Sequence, residues 1–174
     1  MNKLSKLIFP VVFAAVLAAG CNSFLNGDSY FVPQDFSIII KLVDAEGGNL
    51  LDSTVDSNWR DSSLVCTFKN KTFEAESADD YVSGAFNLVV TSYYDKYTNI
   101  TSQVLYFGNF NGMTNYDDDV VFSWPDNTTD TLHVYNKVTP SETQPSAATD
   151  VERYLIYKGE YVLALPVVIT KTEK

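Results

Sequence analysis

Histidine is nearly missing from this chain: its 174 residues include one, His133, and only two cysteines, Cys21 and Cys66. A Ser-His-Asp or Cys-His catalytic set would have to use that single imidazole. It lies between Leu132 and Val134 in an alternating stretch and so points away from the apolar pair, toward solvent. No Gly-x-Ser-x-Gly, His-Glu-x-x-His or Cys-x-x-Cys motif occurs, and no phosphate-cradling glycine loop, which closes the common sequence-readable routes to hydrolases, metal enzymes and nucleotide binders. With 22 acids, paired carboxylates arise without any function in glycoside cleavage. The chain reads as non-enzymatic, with no cofactor and no bound metal. Basic residues are scarce too, 12 against 22 acids for a net charge of −10. Nucleic acid and bare anionic membrane repel such a surface and are disfavoured as partners.

A long hydrophobic run is also lacking. The one apolar stretch, Leu7 to Leu17 behind Lys3 and Lys6, falls short of the ~20 residues that cross a bilayer and has the build of a cleaved export signal. It ends in Ala18-Ala19-Gly20-Cys21, which resembles the lipobox of bacterial lipoproteins. The resemblance implies removal of residues 1–20 and a mature chain that starts at Cys21, with a diacylglyceryl thioether and an acylated amino group. Several acyl chains on one residue anchor stably where one would not. Residues 21–34, rich in Asn, Ser, Gly and Asp and without a sustained period, read as a lipidated tether.

From residue 35 to 174 the pattern is that of one β-domain. In Phe36-Ser37-Ile38-Ile39-Ile40-Lys41-Leu42-Val43 the apolar set 36, 38, 40, 42 lines one face, the period of a strand. Similar runs recur at 64–69, 85–94, 102–107, 119–124, 130–136, 153–158 and 160–170, with a short extra one at 71–75. Helical spacing is nowhere sustained. Eight or nine strands predict an all-β fold, a two-sheet antiparallel β-sandwich. Cys66, at spacing two from Leu64 and Phe68, belongs on a buried strand face, and with Cys21 lipidated it has no internal disulfide partner. Residues 137–150, with Pro140 and Pro145, read as the longest connection. Asp44-Ala45-Glu46-Gly47-Gly48-Asn49 resembles the first hairpin of immunoglobulin-like and transthyretin-like sandwiches, with Asp capping the strand and Gly supplying positive φ.

The lipobox, the tether and the acidic Tyr- and Asp-rich domain, with phrases such as Leu42-Val43-Asp44-Ala45-Glu46-Gly47 and Trp124-Pro125-Asp126, look like the small outer-membrane lipoproteins of Bacteroidota. That resemblance implies a cell-envelope location. Asn22 to Asn26 carries no acidic cluster, so the surface and periplasmic faces both stay open. In that group glycans attach at triplets like Asp52-Ser53-Thr54 and Asp130-Thr131-Leu132, which serve equally as turn chemistry. Asp117-Asp118-Asp119 departs from the Asp-x-Asp-x-Asp-Gly order of a calcium loop and reads as a solvated turn entering a strand. Between Tyr93 and Trp124 many rings alternate with Asn99, Asn109, Asn111 and Asn115, the pairing that sugar recognition uses. Most of these rings belong to the core. Tyr97, Phe110 and Tyr116 fall in predicted loops and form the candidate ligand platform. The function expected is a lipid-anchored protein presenting a binding surface for a glycan or an envelope protein partner. The alternative is a structural subunit of a surface appendage, similar to fimbrial lipoproteins with transthyretin-like folds, for which Trp59-Arg60 offers a processing site.

Overall fold

A computed structural model describes residues 31–55, 58–60, 62–77 and 85–171. They form ten strands and no helix: β1 (Phe36–Val43), β2 (Val65–Phe68), β3 (Lys71–Ser77), β4 (Asn87–Asp95), β5 (Ile100–Phe110), β6 (Tyr116–Ser123), β7 (Thr129–Pro140), β8 (Ala148–Tyr157), β9 (Glu160–Tyr161) and β10 (Val167–Thr170). The all-β expectation holds. The strands belong to a single curled mixed sheet in the order β10-β1-β5-β4-β3-β2-β6-β7-β8-β9, rather than to two separate antiparallel sheets. The physical reason lies in β3. Its residues Lys71–Glu74 pair antiparallel with β2 and Ala75–Ser77 pair parallel with β4, so one strand carries the ladder from one limb into the other.

The limbs face each other. Phe107 on β5 meets Phe122 on β6 with ring centroids 6.2 Å apart, although three strands separate β5 from β6 in the sheet. Phe36, Phe68, Phe86, Phe107, Phe110 and Tyr116 fill the space between them as a chain of edge-on, tilted and stacked rings. Such geometry adds about 0.5–1.5 kcal/mol per pair to the burial itself. Leu64, Cys66 and Phe68 are all buried, as their spacing requires.

Turn chemistry follows the sequence closely. Gly48 N–H donates to the Asp44 carboxylate at 2.6 Å while Gly47 takes φ 89°. Lys69 and Asn70, both at positive φ, form the two-residue loop between β2 and β3. Two connections differ from expectation. β7 runs on to Pro140, and Val138 N–H is satisfied by the Asn115 side chain at 2.8 Å, so the connection expected over 137–150 shrinks to 141–147. The run 160–170 is cut into β9 and β10, the first antiparallel to β8 and the second parallel to β1.

Packing also reaches upstream of residue 35. Phe31 N–H donates to the Ala148 carbonyl at 2.9 Å and Ala148 N–H returns a bond at 2.8 Å, and Pro33 is buried. Arg153 holds the segment from the other side. Its Nη1 donates to the Gln34 carbonyl at 3.1 Å, its Nε donates to Asn136 Oδ1 at 2.8 Å, and the guanidinium carbon lies 4.0 Å from the Phe36 ring centroid. The chain therefore enters at the Phe36 end of β1, where Phe36 pairs with Phe110.

Candidate binding surface

The three rings expected on one surface separate. Phe110 closes β5 and is fully buried, stacked on Phe36 with centroids 5.1 Å apart. Tyr116 opens β6, is buried, and accepts a hydrogen bond from Asn111 N–H at 3.1 Å. Neither stands in a loop, so the three-ring platform does not assemble. Gly108 and Asn109 resemble a break, yet β5 continues through them because Gly108 lies flat on Ser37, where a Cβ would come within 2.8 Å of the Ser37 hydroxyl.

Tyr97 alone projects, 87% exposed, from the turn between β4 and β5. The turn is fixed by Asp95. Its carboxylate accepts Tyr97 N–H at 2.8 Å and the Thr98 hydroxyl at 2.9 Å, which holds its pKa below the usual carboxylate value. Tyr94 hydroxyl donates to the Asn99 side chain, and Lys96 Nζ lies 5.0 Å from the Tyr97 ring centroid. Beside this turn an open cleft of about 240 Å³ runs across β4, β5, β1 and β10, with Tyr93, Ile100 and Val168 as apolar wall and Lys41, Asp95 and Ser102 as polar groups. Tyr93 lines this cleft, whereas Tyr94, next to it in β4, points to the opposite face of the sheet; both lie close to the turn, at the end of the strands where Asp95 pairs with Ile100. At about 3.3 Å per residue, the length of β5 puts this end roughly 30 Å from Phe110 and the incoming chain.

The remaining chemistry-bearing residues are held in structural contacts. His133 is half-buried, with Nδ1 2.9 Å from Asp119 Oδ1 and Nε2 3.2 Å from Asp117 Oδ1. Asp118 turns to the opposite face and pairs with Lys69 at 3.0 Å, so the three successive acids do not converge. Among the described residues no group of three or more His, Cys, Asp and Glu side chains is placed to hold a metal ion. Cys66 is free and fully buried, and burial pushes its thiol pKa up to about 12. Asp52 accepts both the N–H and the hydroxyl of Thr54, at 2.9 and 2.8 Å, as a turn. Asp130 is buried and accepts bonds from Trp124 Nε1 and the Tyr157 hydroxyl, each at 2.7 Å, while Thr131 beside it is exposed. The Trp59 ring packs, partly buried, on the core and the Trp59 backbone N–H donates to the Leu50 carbonyl at 2.6 Å, with Arg60 exposed after it. Cys21 and the export signal lie outside the described residues.

Sequence reasoning missed a second group of rings. Tyr135 and Tyr154 stack with centroids 4.5 Å apart, and Tyr161 meets Tyr154 at right angles. The signal was available, since Tyr135 alternates with the apolar Val134 and so belongs to the outer face of its strand. No protein-family model matches the chain, and no curated protein and no solved structure is measurably similar to it.

Proposed function

We propose that this is a lipid-anchored, non-enzymatic protein of the bacterial outer membrane, tied through Cys21, that presents the Tyr97 end of its β-domain to a neutral glycan. The observation that carries the reading is the polarity of the domain. The chain arrives at Phe36, and the exposed rings Tyr94 and Tyr97 with the cleft beside them stand at the other end of the strands. In this proposal the tether from Cys21 leaves the domain at the Phe36 end, so that the Tyr97 end faces away from the membrane. Exposed rings stack on the apolar faces of sugars, while Asp95, Ser102 and Lys41 supply fixed donors and acceptors for hydroxyls.

The two facing limbs make a two-sheet sandwich of immunoglobulin-like or transthyretin-like kind the finer reading of the fold, with β3 shared between the halves. The Bacteroidota lipoprotein resemblance supports the location. The Trp59 ring packs against the core and its backbone N–H is bonded to Leu50, contacts that cleavage after Arg60 would disturb, which favours the binding module over an appendage subunit. The anchor is tested by metabolic labelling with palmitate in cells producing the chain. The wild type should incorporate label and Cys21→Ser should not, accumulating instead as unprocessed precursor; equal labelling of both would overturn the assignment.

A further inference from the structure

One wall of the cleft beside Tyr97 belongs to β10. Pro166 and Val168 line the cleft together with Lys41, Tyr93 and Ile100. Register places Val168 beside Lys41, so the wall stands wherever β10 lies on β1. That strand is lightly held. Its ladder to β1 runs only from Val167 to Thr170, and the connection leading into it leaves Leu163 95% and Leu165 41% exposed instead of packing them on the core. Val167 and Ile169 are buried, which turns Val168 outward.

Lys171 pins the strand beyond its ladder. Its backbone N–H donates to the Val43 carbonyl at 2.8 Å, and its buried ammonium donates to the Asp130 carboxylate and to the Thr128 hydroxyl. Asp130 is fixed in turn by Trp124 Nε1 and the Tyr157 hydroxyl, so the contact refers β10 to the long ladders of β6, β7 and β8. Moving Lys171 away would leave both charges buried without a partner, which is strongly unfavourable.

We propose that Asp130 and Lys171 are positioning residues for the cleft. Through their contact the limb of β6, β7 and β8 sets where β10 lies, and with it the Pro166 and Val168 wall that a bound molecule meets. The path is continuous, from Asp130 to Lys171 and then along three residues of backbone to Val168. A site whose support is pinned keeps its geometry, whereas a wall on an unpinned strand loosens and loses affinity. Only the nature of the bound molecule rests on the glycan reading; the placing of the wall does not.

The test compares the wild type with two variants. The double variant Asp130→Asn with Lys171→Met removes the contact and strands no buried ammonium, and Val168→Ala trims the wall at an exposed position. Strand alternation points the Ile169 N–H at β1, as that of Lys171 does, while Val134 is paired on both sides in β7. Without ligand, amide hydrogen exchange in the double variant should accelerate about tenfold more at Ile169 than at Val134, and the Ile100 methyl resonances should shift. Equal acceleration at the two amides, or unmoved Ile100 resonances, would overturn the proposal, since the pair would then serve only the fold as a whole. Against a panel of neutral oligosaccharides both variants, fully folded by circular dichroism, should bind about tenfold more weakly than the wild type. Full affinity in either would also overturn it. A wild type that binds no member of the panel would contradict the glycan reading, and the exchange and Ile100 results would still decide whether the pair places the wall.

Discussion

Lys171 donates to the buried carboxylate of Asp130, although one residue follows β10 at one margin of the sheet and the other lies in β7, near the opposite margin. Their contact closes the curl. Lys171 Nζ also donates to the Thr128 hydroxyl at 3.0 Å and lies 4.9 Å from the Trp124 ring centroid, so both charges are enclosed by polar and aromatic partners. Burial alone would raise the Asp130 pKa, but the bonds from Lys171, Tyr157 and Trp124 outweigh it and hold the carboxyl below its ordinary value.

Stability should follow that sign. A depressed folded pKa contributes stabilisation that is complete above the unfolded carboxylate value of 3.8 and is lost as pH falls through the folded value. Asp130→Asn should cost about 3–5 kcal/mol at neutral pH, because it strands the buried ammonium. The double variant Asp130→Asn with Lys171→Met, which removes the stranded ammonium and keeps an acceptor for Trp124 and Tyr157, should recover part of that loss. Urea unfolding of the three proteins at neutral and acid pH checks both statements.

Truncating rings should separate core from surface. Phe110→Ala should lower stability by about 3–5 kcal/mol, as buried aromatics do, and Tyr97→Ala should change it by less than about 0.5 kcal/mol. Comparable losses from the two would contradict the burial described for them.

The Cys66 thiol, buried and pushed up to about 12, should react with a thiol reagent far more slowly in the native protein than after unfolding. Cys66→Ala should cost on the order of 1–2 kcal/mol for lost packing. Rapid labelling under native conditions would show that the strand face is open.

Gly112 ties the incoming chain to the domain. A Cβ there would stand 2.4 Å from the Pro33 carbonyl oxygen and 2.5 Å from that of Gln34, both backbone atoms. Gly112→Ala should therefore cost about 1–3 kcal/mol through overpacking and expose the amide of Phe31 to exchange. An unchanged Phe31 protection factor would mean that the segment is held elsewhere.

Strand positions were legible because one buried face imposes a period of two, which Ile38, Ile40 and Leu42 display without ambiguity. The curl was not, because pairing order depends on contacts such as Asp130 with Lys171 that are distant in sequence. Phe110 was misplaced for a local reason: Gly108 and Asn109 look like a break, whereas the close approach of Ser37 makes them a continuation of β5. Tyr116 was hidden by the acids that follow it, since Asp117 and Asp119 occupy the solvent side of β6 and mask its alternation. Only Tyr97 of the three candidate rings stood where its neighbours implied, because Asp95, Thr98 and Asn99 carry turn chemistry of their own.

The most direct measurement for the proposed function is equilibrium binding of the purified protein to a panel of neutral oligosaccharides, with Tyr97→Ala measured alongside. Weak binding to at least one glycan is expected, little altered by salt because stacking and neutral hydrogen bonds carry it, and reduced about tenfold or more in the variant at unchanged stability. Absence of any glycan binding, or binding that survives Tyr97→Ala undiminished, would contradict the account.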